Sequence, residues 1–136
     1  MIVVGLGNLG QALVNHSGFG ERGFPIVGVF DNDPQKIGQS VGGHEVVHID
    51  HLEAITAEQG ARTAIITTPV EAAQEATDAA VAAGITSVLN FAPTVVQVPE
   101  GVALRQVDLA VELQILSYYQ PRTELGDDAR AHDWSA

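Results

Sequence analysis

Apolar runs of strand length alternate along the chain with segments of helical period. The runs are short and apolar at consecutive positions, which is typical of strands buried on both faces of a parallel sheet. We predict six strands, at Ile2–Val4, Ile26–Phe30, near Val46–His48, Thr63–Thr67, Ser87–Asn90 and near Ala103–Leu104. Since helical segments lie between the strands, the pattern predicts an α/β fold with a doubly wound, mostly parallel sheet.

Two helix starts are marked by the spacing of a capping box, in which a polar N-cap residue precedes a glutamate by three positions. They are Asp50 with Glu53, and Thr68 with Glu71. Pro69 is predicted at the first helical position, where its missing N–H costs nothing. This second helix is predicted to extend to Ala83 and to end with Gly84 at the C′ position.

A further helix is predicted near the C-terminus, at about Leu109 to Tyr119, and it is apolar on almost every face. Such a helix must be covered on more than one side, which one sheet cannot do, so we predict that it forms a dimer interface. The alternative is a helix packed on its own sheet with a few exposed apolar side chains. From residue 121 to 136 the periodicity is lost, and a mobile tail is expected after a domain of residues 1–120.

A glycine-rich loop links the first strand to the following helix. It matches the pattern G-x-G-x-x-G, as Gly5-Leu6-Gly7-Asn8-Leu9-Gly10. In a strand-loop-helix context this pattern predicts dinucleotide binding, because Gly5 permits a tight turn, Gly7 lets a pyrophosphate approach the backbone and Gly10 lets the helix pack closely on the strand. The alternative is a plain strand-to-helix turn with incidental glycines.

Asp31 ends the second predicted strand, 21 positions after Gly10. Near this spacing a carboxylate accepts hydrogen bonds from the hydroxyls of an adenosine ribose. Because Asp31 and Asp33 would repel a 2′-phosphate and no arginine adjoins them, we expect NAD(H) rather than NADP(H). Asp31 also begins an Asp-Asn-Asp-Pro stretch that favours a turn, and both roles are compatible.

Composition excludes several classes of protein. The chain has 136 residues, 46% of them hydrophobic, as expected for one globular domain, and it lacks the cysteines that disulfides or thiolate metal sites need. The net charge is −11, so this chain alone is not expected to bind DNA. No basic leader precedes the first strand and no apolar stretch approaches the ~20 residues that span a bilayer. We therefore expect a cytoplasmic protein without membrane contact.

The stretch His44-Glu45-Val46-Val47-His48 matches the zinc-peptidase motif H-E-x-x-H. That motif requires a helix, on which the two histidines share one face. Here two glycines precede it and the valines favour a strand, in which the histidines would stand roughly 13 Å apart. No metal site is therefore expected.

The chain resembles the Rossmann domain of the Rex family, bacterial redox-sensing transcriptional repressors, over about residues 1–120. The resemblance rests on the glycine loop and on these segments: Gly18-Phe19, Phe30-Asp31-Asn32-Asp33-Pro34, Thr67-Thr68-Pro69, Asn90-Phe91-Ala92-Pro93 and Val107-Asp108-Leu109. The last two segments are the most specific, because generic Rossmann domains lack them. The resemblance implies a Rossmann-type fold and a homodimer that senses the NADH/NAD⁺ ratio and releases its operator DNA when NADH binds.

The resemblance also implies roles for particular residues. The cofactor phosphates would lie on the glycine loop, and the nicotinamide end near the Asn90-Phe91-Ala92 loop and Asp108; the segment Thr67-Thr68-Pro69 is also expected to contact the cofactor. His16 stands where relatives carry a tyrosine that makes redox-dependent contacts with the aspartate matching Asp108. Relatives also carry a winged-helix DNA-binding domain before the first strand, so we expect this chain to be an excised domain or a shortened relative.

Two other functions remain as alternatives. A small NAD-dependent oxidoreductase would need a proton donor beside its substrate. Lys36 lies in a turn, the tyrosines near the C-terminus have no lysine partner, and His16 is better placed for a cofactor or interface contact, so catalysis is not expected. The other alternative is a coenzyme A-binding module, in which Asp31 would meet an unfavourable 3′-phosphate if the ligand lay the same way.

Overall fold

The described residues, 1–16 and 23–108 of a computed structural model, form a seven-stranded sheet with three α-helices. The strands are β1 (Ile2–Val4), β2 (Gly28–Asp31), β3 (Ser40–Val41), β4 (His44–His48), β5 (Thr63–Ile66), β6 (Ser87–Asn90) and β7 (Ala103–Gln106). The helices are α1 (Asn8–Asn15), α2 (Leu52–Gln59) and α3 (Val70–Ala82), and a 3₁₀ turn at Ile49–His51 precedes α2.

The sheet has the strand order β3-β4-β2-β1-β5-β6-β7. All neighbouring strands are parallel except β3 and β4, which pair antiparallel. Without β3, the parallel strands follow the order 3-2-1-4-5-6 of a doubly wound sheet, so the predicted fold class is confirmed. The order reverses between β1 and β5, where Val3 lies opposite Ile65, and a crevice is expected beyond the carboxyl ends of these two strands.

Strand β1 divides its side chains between two apolar layers, because successive residues of a strand point to opposite faces. Ile2 and Val4 belong to the layer that also contains α2 and α3. Val3 belongs to the opposite layer, which contains Val14 of α1. The sheet is thus covered by helices on both faces, and this explains why the central strand β1 is apolar and buried at every position.

All six predicted strands are present, and the structure adds β3, which the sequence analysis missed. Ser40 pairs with Glu45 and Val41 with His44 through a two-residue turn at Gly42-Gly43. Both glycines have positive φ, 57° and 84°, as a tight hairpin turn of this type requires. The Gly-Gly pair was the sequence signal for this hairpin. The H-E-x-x-H stretch forms β4, as predicted.

Neither predicted capping box forms, and this corrects two expectations. Helix α3 begins at Val70 with Pro69 as its N-cap, and no side chain caps it. Helix α2 is entered through the 3₁₀ turn, in which the Nδ1 atom of His48 accepts a hydrogen bond from the Asp50 N–H at 3.0 Å. Asp50 therefore lies inside the turn, because the chain begins to coil as soon as it leaves β4.

The end of α3 agrees with the sequence prediction. Gly84 follows the last helical turn with φ of 100°, and its N–H donates to the Val81 carbonyl at 3.0 Å. The next N–H, that of Ile85, donates to the Ala80 carbonyl at 3.1 Å. This pair of bonds is a Schellman motif, which satisfies carbonyls that the helix leaves free.

The predicted helix at residues 109–119, the tail at 121–136 and the Gly18-Phe19 pair lie outside the described residues. Within the part that is described, no helix is long and apolar enough to cross a membrane.

Candidate functional site

A cavity of about 710 Å³ opens where the strand order reverses. Three loops border it, those that follow β1, β2 and β5, together with one face of α3. The described lining residues are Val4, Gly5, Leu6, Gly7, Asn8, Leu9, Asp31, Asn32, Asp33, Pro34, Lys36, Ile49, Thr67, Thr68, Pro69, Ala72, Glu75 and Ala76. Its size and its place beyond the carboxyl ends of parallel strands are those of a small-molecule site in a doubly wound fold.

Gly5 and Gly10 hold the glycine loop tightly against the sheet. Gly5 has φ of +101°, and a Cβ atom on it would lie 2.7 Å from the Thr67 carbonyl carbon. A Cβ atom on Gly10 would lie 2.0 Å from the Gly5 carbonyl oxygen. Neither position tolerates a side chain, so these two glycines have the turn and packing roles that the sequence predicted.

Gly7 differs from these two, because the space beside it is open. It is the N-cap of α1, no side chain caps that helix, and no atom lies within 4 Å of the position where a Cβ would stand. A helix N-terminus has N–H groups without intrahelical partners and the positive end of the helix dipole. Gly7 therefore leaves room for an anionic group to approach the start of α1 from the cavity.

The Asp31 carboxylate connects two of the loops that border the cavity. Its Oδ2 atom accepts a hydrogen bond from the Leu6 N–H at 2.8 Å, and its Oδ1 atom accepts one from the Asp33 N–H at 2.9 Å. The second bond makes the Asx turn that the sequence offered as an alternative. Since each carboxylate oxygen can accept a further hydrogen bond, these contacts leave capacity for a ligand hydroxyl.

The carbonyl of Leu6 is held by two side chains that the sequence analysis did not assign to the site. Gln11 Nε2 donates to it at 2.9 Å, and Lys36 Nζ donates to it at 2.7 Å. The N–H of the same residue is bound by Asp31, so both polar groups of the Leu6 backbone are engaged. No local sequence pattern predicts the contact between Leu6 and Lys36, because these residues lie 30 positions apart.

Thr67 and Thr68 follow β5 and have different surroundings. Thr67 Oγ1 donates to the Gly5 carbonyl at 2.5 Å, which ties the β5 loop to the glycine loop. Thr68 Oγ1 is buried without a hydrogen-bond partner among the described residues, although Thr68 lines the cavity. A buried hydroxyl without a partner is costly, and a polar ligand in the cavity would supply one. Pro69, next in the chain, is exposed.

Asn90, Phe91 and Ala92 are not among the described residues that line this cavity. The Asn90 side chain is fully buried, and its Nδ2 atom donates to the Thr94 carbonyl at 2.9 Å and to Gln106 Oε1 at 3.0 Å. Its Oδ1 atom accepts the Ala92 N–H at 3.0 Å. The amide group of Asn90 is thus hydrogen-bonded to other residues of the protein, and these bonds fix the conformation of the loop after β6. A cofactor contact of this loop therefore remains a prediction.

His16 and Asp108 are both exposed, and neither is among the described lining residues. His16 is the C-cap of α1, so the helix places it about 12 Å from Asn8 at the cavity end, at 1.5 Å per residue. Asp108 lies two residues beyond the end of β7. Their proposed part in redox signalling remains a prediction. Among the described residues, no three histidine, aspartate or glutamate side chains group as metal ligands would.

A doubly wound parallel sheet, whose glycine loop and following carboxylate border a cleft at the reversal of strand order, defines a Rossmann-type nucleotide-binding domain. The chain belongs to the family described as CoA binding domain, whose profile matches residues 1–94.

Its sequence is similar to that of the redox-sensing transcriptional repressor Rex of Streptomyces griseus subsp. griseus, with 50% identity over 134 residues that cover 98% of this chain and 53% of the relative. Three solved structures of RSP, a Rex-family repressor, are similar at 34% identity, and two of them contain a cofactor. The complex with β-NADH has a TM-score of 0.81 and is matched over 94% of this chain and 62% of RSP. The complex with β-NAD⁺ and operator DNA has a TM-score of 0.79, with 96% and 60% matched.

These comparisons confirm the resemblance to the Rex family that the sequence motifs carry. The relatives are repressors and not enzymes. The chain spans about half the length of the curated relatives it matches.

Proposed function

We propose that this chain is the NAD(H)-binding sensor domain of a redox-responsive transcriptional repressor and catalyses no turnover. The observation that carries the proposal is the cavity at the strand-order reversal, which places the open Gly7 position and the Asp31 carboxylate on the same cleft. The complexes of RSP with NADH and with NAD⁺ support this choice of ligand.

The residues of the cleft fit the chemical groups of NAD(H). The N-terminus of α1 at Gly7 would receive the diphosphate, and Asp31 would accept the ribose hydroxyls. Thr68 Oγ1 would obtain the hydrogen-bond partner that it lacks among the described residues. When bound, NAD(H) supplies a nicotinamide ring whose charge and shape differ between the two redox states, and this difference is the signal to be sensed.

The partners of the domain belong to the same proposal. A homodimer would form through the helix predicted at residues 109–119, and operator DNA would be bound by a winged-helix domain that is not part of this sequence. DNA would be released when the NADH/NAD⁺ ratio rises, in the bacterial cytoplasm. The RSP complex with operator DNA supports a DNA partner. The net charge of −11 supports assigning that contact to another domain.

Titration of the purified chain with NADH, NAD⁺ and NADPH tests the choice of ligand. We expect NADH to bind more tightly than NADPH, because Asp31 and Asp33 line the cavity and would repel a 2′-phosphate. Fluorescence of the reduced nicotinamide and isothermal titration calorimetry both report this binding. Equal dissociation constants for NADH and NADPH would contradict the assignment of Asp31 to the ribose.

Coenzyme A is the second candidate ligand, because the matching family profile is described as a CoA binding domain. It carries a 3′-phosphate on the ribose, which would meet the Asp31 carboxylate if the adenosine lay as proposed for NADH. The same calorimetric titration with coenzyme A is therefore informative. Tight binding of coenzyme A together with no heat from NADH would replace the redox-sensor proposal with a coenzyme A-binding module.

A further inference from the structure

The charges that line the cavity are unbalanced for an anionic ligand. Among the described lining residues, three carry carboxylates, Asp31, Asp33 and Glu75, and one carries a positive charge, Lys36. A ligand with a diphosphate brings further negative charge into this space. The start of α1 offsets part of it through the helix dipole, but a dipole contributes only about half a charge.

The Lys36 ammonium is placed to supply the missing positive charge. It lines the cavity, is half-buried, and its Nζ atom donates to the Leu6 carbonyl at 2.7 Å. No carboxylate of the described residues pairs with it, since the ion pair found there joins His48 and Asp50. An ammonium has three N–H donors, so Lys36 retains donors for a second acceptor.

The turn that carries Lys36 is itself held in place. The Lys36 N–H donates to the Asp33 carbonyl at 2.9 Å, and its carbonyl accepts the Gln39 N–H at 3.1 Å. The Leu6 carbonyl does not depend on Lys36 for a hydrogen bond, because Gln11 Nε2 already donates to that oxygen at 2.9 Å. Holding this carbonyl is therefore not a sufficient reason for the position of the Lys36 ammonium. Lys36 therefore combines a fixed backbone, a free charge and a place on the cavity wall.

We propose that Lys36 contacts an anionic phosphate oxygen of the bound nucleotide and so determines affinity for the phosphorylated part of the ligand. The inference rests on the proposed function, since it assumes that the cavity binds an adenosine nucleotide. It assigns to Lys36 a role distinct from that of Asp31, which faces the ribose. Removing the Lys36 charge would lower the affinity for ligands in proportion to their phosphate charge. The affinity for a nucleoside without phosphate would stay almost unchanged.

The test compares ADP with adenosine on the 136-residue chain and its variants, by calorimetry and by NMR for the weaker ligand. For Lys36→Met we expect about a tenfold loss of ADP affinity, as for one charged hydrogen bond, with adenosine affinity changed less than about twofold. Lys36→Arg retains the charge and should keep most of the ADP affinity. Lys36→Gln retains an N–H donor but lacks the charge, so it should lose ADP affinity to the same extent as Lys36→Met. It serves as the second uncharged variant if Lys36→Met folds poorly.

Arg62→Met is the matched control for net charge. Arg62 is exposed and precedes β5, so it lies at the amino end of the strand, opposite the cavity. This variant should bind ADP like the unaltered chain. Raising the salt concentration should weaken ADP binding by the unaltered chain and by Arg62→Met more than by Lys36→Gln, because salt screens the ionic contact.

Three outcomes overturn the inference. If Lys36→Gln binds ADP as tightly as the unaltered chain, Lys36 makes no phosphate contact. If adenosine and ADP lose affinity equally, Lys36 acts only by positioning Leu6. If the unaltered chain binds neither ADP nor NADH, the proposed function fails and the inference with it, whereas the first two outcomes leave NAD(H) binding intact.

Discussion

The Asp31 carboxylate holds two loops together and also lies on the cavity wall. Its oxygens accept the N–H groups of Leu6 and Asp33, so it joins the glycine loop to the turn after β2 before any ligand arrives. The same side chain lines the cavity. The loops of such a cleft are ordered before the ligand binds. Little binding free energy is therefore lost in ordering them.

Replacing Asp31 by alanine should lower NADH affinity by on the order of 1–3 kcal/mol, because a charged hydrogen bond to the ribose is lost. Affinity for NADPH should fall less, since a repulsive charge is removed at the same time. Asp50→Ala is the control, because it removes the same charge from a side chain that is 83% exposed and does not line the cavity. Calorimetric titration measures both ligands, and an unchanged ratio of the two affinities would contradict this role.

The three glycines of the loop should respond differently to alanine. Gly10→Ala places a Cβ atom 2.0 Å from the Gly5 carbonyl oxygen, so α1 must shift, and a loss of stability of roughly 1–3 kcal/mol is expected. Gly7→Ala meets no atom within 4 Å, and its φ of −70° suits any residue. Its fold should persist while its methyl group restricts access to the start of α1.

Thermal unfolding and NADH titration of these two variants separate packing from binding. We expect a lower Tm for Gly10→Ala and a nearly unchanged Tm with weaker NADH binding for Gly7→Ala. Unaltered NADH affinity in Gly7→Ala would mean that no ligand group approaches the backbone at this point.

At the scale of elements, β6 and β7 are joined beyond their carboxyl ends by two amide side chains. Asn90 and Gln106 are opposite one another in the parallel register and also hydrogen-bond through their side chains at 3.0 Å. Gln106 Nε2 donates further to the carbonyls of Ala92 and Thr94, at 3.1 and 2.9 Å. The backbone of the loop after β6 is therefore held by side chains of β6 and β7.

Asn90→Ala should destabilise the domain by about 1–3 kcal/mol, because it leaves the buried Ala92 N–H without the acceptor that it has now. Chemical denaturation measures this free energy. Asn15→Ala is the control, since Asn15 is an exposed asparagine at the end of α1. Equal midpoints for the two variants would show that the amide network contributes no net stability.

At the scale of the whole molecule, the prediction concerns assembly through the helix expected at residues 109–119, which lies outside the described residues. Leu113 and Leu116 belong to its main apolar stripe, and further apolar residues occupy its other faces. Charges at Leu113 and Leu116 should therefore yield monomers or insoluble protein, because an apolar interface would have to bury them.

Light scattering at tens of micromolar measures the assembly state of the unaltered chain and of the Leu113→Glu, Leu116→Glu double variant. Substitution of Glu112, a polar position of the same predicted helix, by lysine serves as the control and should leave a dimer intact. A monomeric unaltered chain would contradict a dimer formed by this helix.

The sequence by itself determined the strand positions, the parallel sheet, the glycine loop and the carboxylate that follows β2. These features depend on local patterns, namely runs of apolar residues buried on both faces and glycines at a fixed spacing before a helix. Their physical cause acts over a few neighbouring positions, so it is visible without a tertiary structure. The same patterns failed for the helix starts at Asp50 and Thr68, where the path of the chain out of each strand decided the geometry.

Only the tertiary structure decided which polar groups meet at the cleft. Lys36 reaches the Leu6 carbonyl across 30 positions, and Thr67 reaches the Gly5 carbonyl across 62. The same is true of Asn90, whose side chain is engaged by Gln106 16 residues away. The cofactor contact expected of its loop stays a prediction. Such bonds depend on which strands become neighbours in the sheet and on how far their loops extend beyond it. Hydrophobic burial selects the strands from local sequence, but the partners of a loop side chain exist only after distant strands have paired.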